Sequence, residues 1–172
     1  MQDEQSNFEE LCLPLLDAAY NLAYLLVGRD QDAQVVVQEA YMQALKGFKR
    51  LSGGDTRLWL LAIVRNTARN WLRKHARKLT GIPLDPAIQT AATGKPLTES
   101  SQDERVQQLQ EALKRLPVEF REILVLHDIE GLSYQQLASV LDVPPDTIMF
   151  RLSRARHRLR QEFAGVQEKE SP

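Results

Sequence analysis

The sequence is poor in cysteine, and its single cysteine, Cys12, excludes an intramolecular disulfide framework. Histidine is also scarce, and its three positions are too scattered to predict a metal-binding cluster. The apolar runs are far shorter than the roughly 20 residues of a membrane helix, and the first residues are polar and acidic. We therefore expect a reduced, cytoplasmic compartment, no export signal, no membrane insertion and no cofactor.

An excess of one charge is also missing, because 22 basic side chains balance 23 acidic ones. The sequence pI of about 6.3 taken alone argues against a polyanionic partner. The two signs are nevertheless segregated along the chain. Between residues 46 and 78 the only acidic residue is Asp55, whereas Arg29 is the only basic residue among the first forty. This separation indicates a basic surface and an acidic surface, and therefore more than one partner.

Apolar residues recur at helical spacing in most of the chain, which predicts an all-α fold. Three helices are predicted in the first half: about 6–28 with a capping box of Ser6 and Glu9, 31–49 with Asp30 as its cap, and 56–77 with Asp55 as its cap. The pattern stops at 79–102, where prolines, glycines and serines predict a flexible linker. It returns at 103–164 and is followed by a predicted disordered tail, 165–172. We therefore expect two small helical bundles, 1–78 and 103–164.

The second bundle ends in a stretch, 132–160, that predicts a helix-turn-helix. Ser133 and Gln136 form a capping box that starts the first of its two helices. Pro144 and Pro145 interrupt the hydrogen-bond ladder, and Pro145 suits the first turn of a new helix. In DNA-binding proteins the second helix of this motif lies in the major groove.

The second helix of the motif has an apolar face and a basic face. The inward positions are Ile148, Leu152, Ala155 and Leu159, and the outward ones are Arg151, Arg154 and Arg158. No acidic residue lies between Thr147 and Gln161. Neighbouring like charges repel unless a polyanion neutralises them, so a nucleic acid is favoured over a solvated basic face.

A second basic stripe lies on the third predicted helix. Its arginines recur every four residues with asparagines on the same side: Arg65, Asn66, Arg69, Asn70, Arg73 and Arg77. Arginines bind phosphates, and asparagine amides read base edges. Because no carboxylate interrupts the stripe, nucleic-acid binding is favoured here too. Trp59 and Trp71 have the chemistry to stack on bases, but at their helical core positions we interpret them as packing residues.

Three segments in this order resemble a known family. Residues 35–45 read VVVQEAYMQAL, residues 56–73 read TRLWLLAIVRNTARNWLR, and LPVEFREILVLHDIEGLSYQQLASVL is followed by RLSRAR. Together they resemble a bacterial RNA polymerase sigma factor of the sigma-70 family, and more narrowly its extracytoplasmic function (ECF) group. The resemblance covers about residues 8–163. It implies that 1–78 is sigma domain 2 and that 103–164 is sigma domain 4.

The resemblance implies a specificity subunit rather than an enzyme, without a small-molecule substrate. Such a subunit binds RNA polymerase core, directs it to promoter DNA and helps to open the duplex. It implies that Gln38, Glu39 and Met42 dock core polymerase. It implies that the −10 element is bound by Arg65, Asn66, Arg69, Asn70, Arg73 and Arg77. It implies that the −35 element is bound by Thr147, Phe150, Arg151, Arg154 and Arg158. An anti-sigma factor is a further implied partner.

Five positions depart from the usual pattern of the family. Val35 stands where an acidic residue is common, which predicts weaker or differently shared docking to core polymerase. Asp146, Met149 and Phe150 replace small, basic and serine positions, which predicts a changed promoter preference, with a thymine methyl as a candidate contact. Asn70 replaces a frequent aspartate and removes a charge beside DNA.

Two other classes of function stay open. A promoter-binding regulator that uses the helix-turn-helix without polymerase explains the second half of the chain but not the first, and no heptad seam for dimerisation is visible. An enzyme is suggested only by His127, Asp128 and Glu130, and a lone histidine before a helix-ending glycine more often caps or packs. We interpret Cys12 as a small buried apolar residue rather than a redox switch.

Overall fold

The computed structural model describes residues 2–51, 53–79 and 101–170. The amino-terminal half consists of α1 (Gln2–Cys12), α2 (Leu16–Val27), α3 (Asp30–Gly47) and α4 (Thr56–Leu79), with 3₁₀ turns at Leu13–Leu15 and Phe48–Arg50. The carboxy-terminal half consists of α5 (Ser101–Lys114), α6 (Val118–Leu124), a π-helix (Val125–Ile129), α7 (Tyr134–Leu141) and α8 (Pro145–Glu170). The predicted all-α class is confirmed. Residues 80–100 of the predicted linker lie outside the described residues.

Three predicted helix starts are confirmed, two of them by cap geometry. The Asp55 carboxylate accepts a hydrogen bond from the backbone N–H of Leu58 at 3.1 Å, at the start of α4. The Ser133 hydroxyl accepts from the Gln136 backbone N–H at 3.2 Å, and the Gln136 side chain accepts from the Ser133 N–H at 2.9 Å. Helix α8 begins at Pro145, as predicted. These contacts satisfy donors that helix starts leave without intrahelical partners.

Two other predicted starts are wrong. Ser6 and Glu9 lie inside α1, which already runs from Gln2, so they do not cap it. The single long first helix is instead divided by a 3₁₀ turn at Pro14, because proline lacks the N–H that continues an α-helical ladder. Asp30 is the first residue of α3 rather than its cap, and its carboxylate accepts hydrogen bonds from Tyr20 and Gln34.

The predicted disordered tail is wrong for residues 165–170, because α8 continues to Glu170. Phe163 and Val166 continue its apolar face at helical spacing, and Val166 is buried. The extended helix packs along α5 and α6.

The core joins the two halves. Leu22 and Leu26 of α2 belong to the same buried cluster as Leu116 and Ile123 of the carboxy-terminal half, and α2 contacts both α5 and α6. A smaller cluster, with Phe8, Cys12, Ala44 and Leu60, lies among α1, α3 and α4. Cys12 is fully buried, as predicted, and burial raises the pKa of its thiol. The chain thus folds around an apolar seam shared by its two halves.

By length and composition alone, the helical stretch Asp3–Val27 is apolar enough to cross a membrane, which the sequence analysis did not predict. The core helices of soluble proteins share this length and composition. Ala19, Leu22, Ala23 and Leu26 of this stretch are buried in the core.

Replacing a fully buried residue of the seam, by Leu22→Ala, is expected to lower the free energy of unfolding by about 2–5 kcal/mol because it leaves a cavity. The measurement is urea unfolding followed by circular dichroism. Leu45→Ala is the control, because Leu45 is 47% exposed and its truncation is expected to change stability by less than about 0.5 kcal/mol. Equal losses in the two variants would contradict this core.

Candidate nucleic-acid interface

The predicted basic stripe of α4 is partly exposed. Asn66, Asn70 and Arg73 face solvent, and the Asn66 side-chain oxygen accepts a hydrogen bond from Arg65 at 3.0 Å. Four-residue spacing places Arg65, Arg69 and Arg73 along one face of the helix. Arg77 belongs to α4, but its side chain lies outside the described residues. The exposed part presents amides and a guanidinium, the groups that contact bases and phosphates.

Arg65 and Arg69 are not free, because both pair with Glu122 of α6. The Arg65 Nε and Nη2 atoms donate to the two carboxylate oxygens of Glu122 at 2.8 and 3.1 Å. Arg69 Nη1 donates to Glu122 Oε1 at 3.3 Å, and its Nη2 lies 3.6 Å from Glu119. No carboxylate interrupts the stripe in the sequence, but in the fold two carboxylates of α6 lie beside Arg65 and Arg69. The carboxylates come from the other half of the chain, where no local pattern reveals them.

Glu122 is a functional candidate that the sequence analysis missed. Its side chain is 0% exposed, whereas Arg65 is 17% and Arg69 is 22% exposed. A buried carboxylate needs charged hydrogen-bond partners to offset its lost hydration, and the bidentate guanidinium of Arg65 meets this need. The signal in the sequence is an adjacent pair of charged residues, Arg121 and Glu122, inside the otherwise apolar stretch 120–126.

A second ion pair connects the halves near the start of α4. Arg57 Nη2 donates to the backbone carbonyl of Glu130 at 2.6 Å and to its carboxylate at 2.9 Å. Glu130 follows the π-helix, and its side chain is 8% exposed. Arg57 was not predicted as a site residue, because its partner is 73 positions away in the sequence.

The tryptophans of α4 serve mainly as packing residues. Trp59 lies beside Phe48, with ring centroids 6.2 Å apart, in the smaller core cluster. Trp71 is half-buried against the main core and stacks on His75, with centroids 3.6 Å apart. The His75 contact was missed, although its four-residue spacing from Trp71 is a signal for a contact on a helix.

The helix-turn-helix places the predicted −35 residues on one face of α8. Ile148, Leu152 and Ala155 are buried, as predicted. Of the predicted contact residues, Arg154 and Arg158 are exposed, whereas Thr147 and Arg151 are half-buried. Phe150 is 64% exposed, and its ring centroid lies 5.3 Å from the Arg154 guanidinium carbon. Arg158 also pairs with Glu162 at 3.1 Å. The face therefore combines positive charge with an exposed aromatic ring.

The cluster considered for catalysis makes structural contacts. His127 Nδ1 lies 2.7 Å from the backbone carbonyl of Leu132. Asp128 accepts hydrogen bonds from Arg156 at 2.6 and 3.3 Å, and this contact raises the pKa of the Arg156 guanidinium. Glu130 pairs with Arg57, as described above. These contacts attach the π-helix and the turn that follows it to α4 and α8.

The predicted core-docking residues lie on an exposed, largely apolar face of α3. Gln38 and Met42 share one stripe with Val35 and Leu45, at steps of three, four and three residues. Met42 is 56% exposed and Val35 is 51% exposed. Leu45 is 47% exposed. Glu39 is exposed on the flank. Gln38 also lines a groove between α2 and α3.

Removing one partner of the buried pair, by Arg65→Ala, is expected to lower the free energy of unfolding by about 3 kcal/mol. The reason is that Glu122 loses its bidentate partner while it stays buried. The measurement is urea unfolding, with Arg73→Ala as the control because Arg73 is an exposed arginine of the same helix. The control is expected to change stability by less than about 0.5 kcal/mol. A loss of the same size in both variants would contradict the pairing.

Two family profiles match the sequence. Sigma-70 region 2 matches residues 12–78, and Sigma-70, region 4 matches residues 106–159. The ECF RNA polymerase sigma factor SigE of Mycolicibacterium smegmatis is 33% identical over 165 residues, which are 95% of this chain and 64% of that protein. The probable RNA polymerase sigma factor RfaY of Xanthomonas campestris pv. campestris is 38% identical over 144 residues, 81% of this chain and 36% of that protein. The chain thus spans less than two thirds of the length of these two relatives.

Solved structures agree with the fold. The sigma factor RpoE of Bartonella quintana, in complex with the anti-sigma factor NepR, superposes with a TM-score of 0.77 at 26% identity and covers 92% of this chain and 97% of its own. CnrH, in complex with the cytosolic domain of CnrY, shares the fold with a TM-score of 0.68 at 21% identity, over 97% of this chain and 91% of its own. Because both regions match in order and the fold agrees along nearly the whole chain, this protein belongs to the sigma-70 family of RNA polymerase sigma factors, in its ECF group.

Proposed function

We propose that this protein is an ECF-type sigma factor that binds RNA polymerase core, directs it to promoters through their −10 and −35 elements, and helps to melt the DNA. The observation that carries the proposal is that one chain with sigma-70 regions 2 and 4 presents three distinct faces. These are the basic face of α4, the basic face of α8 and the exposed apolar stripe of α3. The chemistry of initiation stays with the polymerase, so the protein itself is not an enzyme.

The −10 role is supported by the chemistry of α4. Holding an extruded or unpaired base requires contacts to the base and to the flanking phosphates, because unstacking costs a few kcal/mol. Asn66 and Asn70 supply amides for base edges, and Arg73 supplies an exposed phosphate contact. Arg65, Arg69 and Arg77 are proposed to extend the phosphate track along the same helix.

The −35 role is supported by the exposed face of α8. Arg151, Arg154 and Arg158 are proposed to contact base edges or phosphates in the major groove, beside Thr147. Phe150 is the unusual member of the set, because a large exposed ring on this face favours an apolar contact. The thymine methyl is the apolar group that the major groove offers. We therefore propose that Phe150 shifts the promoter preference towards thymine.

Docking of core polymerase is proposed at the stripe of α3. Gln38, Glu39 and Met42 are the predicted contacts, and the exposed Val35 and Leu45 extend the stripe with apolar surface. Exposed apolar surface of this kind marks protein interaction sites. Val35 thus replaces a charged contact with apolar area rather than leaving a gap.

An anti-sigma factor is the further partner proposed. RpoE of Bartonella quintana is bound to the anti-sigma factor NepR, and CnrH is bound to the cytosolic domain of CnrY. We propose that the protein acts in the cytoplasm, where polymerase and promoter DNA are found. A helix-turn-helix regulator that acts without polymerase is the alternative that the first experiment distinguishes.

Transcription of genomic DNA by core polymerase plus this protein, with 5′ ends mapped by sequencing, is expected to give discrete start sites that share two upstream motifs. Arg151→Ala/Arg154→Ala is expected to lower initiation at least about tenfold, because each lost base contact costs roughly 1–3 kcal/mol. Arg160→Ala is the matched control, because Arg160 is an exposed arginine on the flank of α8 that is not among the predicted contact residues. Tight binding to duplex DNA without any initiation would favour the regulator instead.

The double substitution Met42→Ala/Leu45→Ala truncates two apolar side chains of the α3 stripe. It is expected to weaken binding to core polymerase about tenfold, which corresponds to about 1.4 kcal/mol, because it removes apolar contact area. The measurement is surface plasmon resonance with immobilised core. Gln107→Ala is the control, because Gln107 is exposed on α5, outside the α3 stripe. Unchanged affinity in the double variant would show that core polymerase docks elsewhere.

A further inference from the structure

We propose that a groove between the α5–α6 turn and α8 binds a second copy of this chain, through the acidic and apolar end formed by α1 and the 3₁₀ turn after it. The contact is head-to-tail, because one copy supplies the groove and the other copy supplies the acidic end. This association goes beyond the proposed function, since it needs neither polymerase nor DNA.

The groove has an apolar part and a basic part. Pro117 and Phe120, at the start of α6, supply the apolar part. The rest of the lining comes from α8: Ser153, Arg154, His157, Arg158, Arg160 and Gln161. None of these eight residues carries a negative charge. The groove volume of about 690 Å³ accommodates several side chains of a partner, so this surface favours an anionic segment that also carries apolar groups.

Part of the positive charge in this groove has no role in the fold. Arg156 pairs with Asp128, and Arg158 pairs with Glu162 at 3.1 Å. Arg160 is exposed and forms no ion pair with any residue in the described part of the chain. It is also absent from the residues proposed to contact the −35 element. Its guanidinium is therefore available to a carboxylate from another molecule.

The apolar part of the groove favours a protein over DNA as the occupant. A DNA backbone offers phosphates and sugars, and the apolar group of the major groove is the thymine methyl at the base edge. Pro117 and Phe120 would gain little from phosphates, whereas they gain from burial against aliphatic side chains. A segment that combines carboxylates with leucines satisfies both parts of the groove.

The amino-terminal end of this chain presents such a segment. Asp3 and Glu10 are exposed on one side of α1, two turns apart, and neither pairs with a basic residue among those the structure describes. Three leucines beside them are exposed by 43%, 53% and 43%: Leu11, Leu13 and Leu16. Exposed apolar surface next to charge marks a protein interaction site. This acidic end is therefore complementary to the groove in both charge and apolar character.

The two surfaces belong to different parts of the fold and are both uncovered in the single chain. Helix α1 packs on α4 and on the 3₁₀ turn, whereas α8 packs on α5, α6 and α7. The partner for each surface must therefore come from another molecule. A contact between unlike surfaces of identical chains is heterologous, so it can extend beyond a dimer. Because the groove includes Arg154 and Arg158, a copy seated in it covers two of the proposed −35 contacts.

The test is sedimentation velocity of the full-length chain over a range of concentrations, without DNA or polymerase. The sedimentation coefficient of wild type is expected to rise with concentration, and to rise less at high salt. Arg160→Glu and Glu10→Lys each reverse one charge and are expected to weaken self-association at least about tenfold. Lys74→Glu and Glu104→Lys make the same charge changes at exposed positions outside both surfaces. These controls are expected to change self-association by less than about twofold.

A mixture of the two surface variants distinguishes the head-to-tail contact from other modes of association. Arg160→Glu keeps an intact acidic end, and Glu10→Lys keeps an intact groove. An equimolar mixture is therefore expected to form a one-to-one dimer that does not grow further, although neither variant associates by itself. Wild type that stays monomeric at every concentration, or a mixture that forms no dimer, would overturn the proposal. Loss of DNA binding in Arg160→Glu together with a monomeric wild type would overturn it too, and would assign the groove to DNA.

Discussion

The arrangement of this molecule depends on a single buried carboxylate. Glu122 lies in α6 without exposed surface, and an uncompensated charge in such a place would strongly destabilise the fold. Its compensation comes from Arg65 and Arg69 of α4, in the other half of the chain. The apolar seam brings the halves together, and this carboxylate determines which faces meet.

This constraint divides the basic surfaces into two kinds. The basic face of α8 has exposed Arg154 and Arg158 in the closed arrangement, so it is accessible without any change of domain position. Among the described side chains of the α4 stripe, Asn66, Asn70 and Arg73 are exposed, whereas Arg65 and Arg69 are paired across the seam. The face of α8 is thus accessible in this arrangement, whereas the face of α4 is only partly accessible.

Much of the fold was predictable because the signals are local. Asp55 and Ser133 mark helix starts through contacts within three residues, Pro145 does so through its fixed backbone angle, and the buried face of α8 follows from spacing alone. The pairing of Arg65 with Glu122 was not predictable, because 57 residues separate the partners and a charge pattern along one helix contains no information about the helix opposite. The prediction of a disordered tail was wrong for a related reason. Helix α8 packs against α5 and α6, and the sequence of the tail alone does not reveal this packing.

The most direct test of the central claim is the distance between the halves in the free protein and in the promoter-bound holoenzyme. Spin labels on Gln43→Cys and Gln161→Cys report this distance by double electron–electron resonance, and the fully buried Cys12 does not compete for the label. The account predicts one short distance in the free protein and a clearly longer one on the promoter. The same distance in both states would contradict it, because the arginines of α4 would then bind DNA without leaving Glu122.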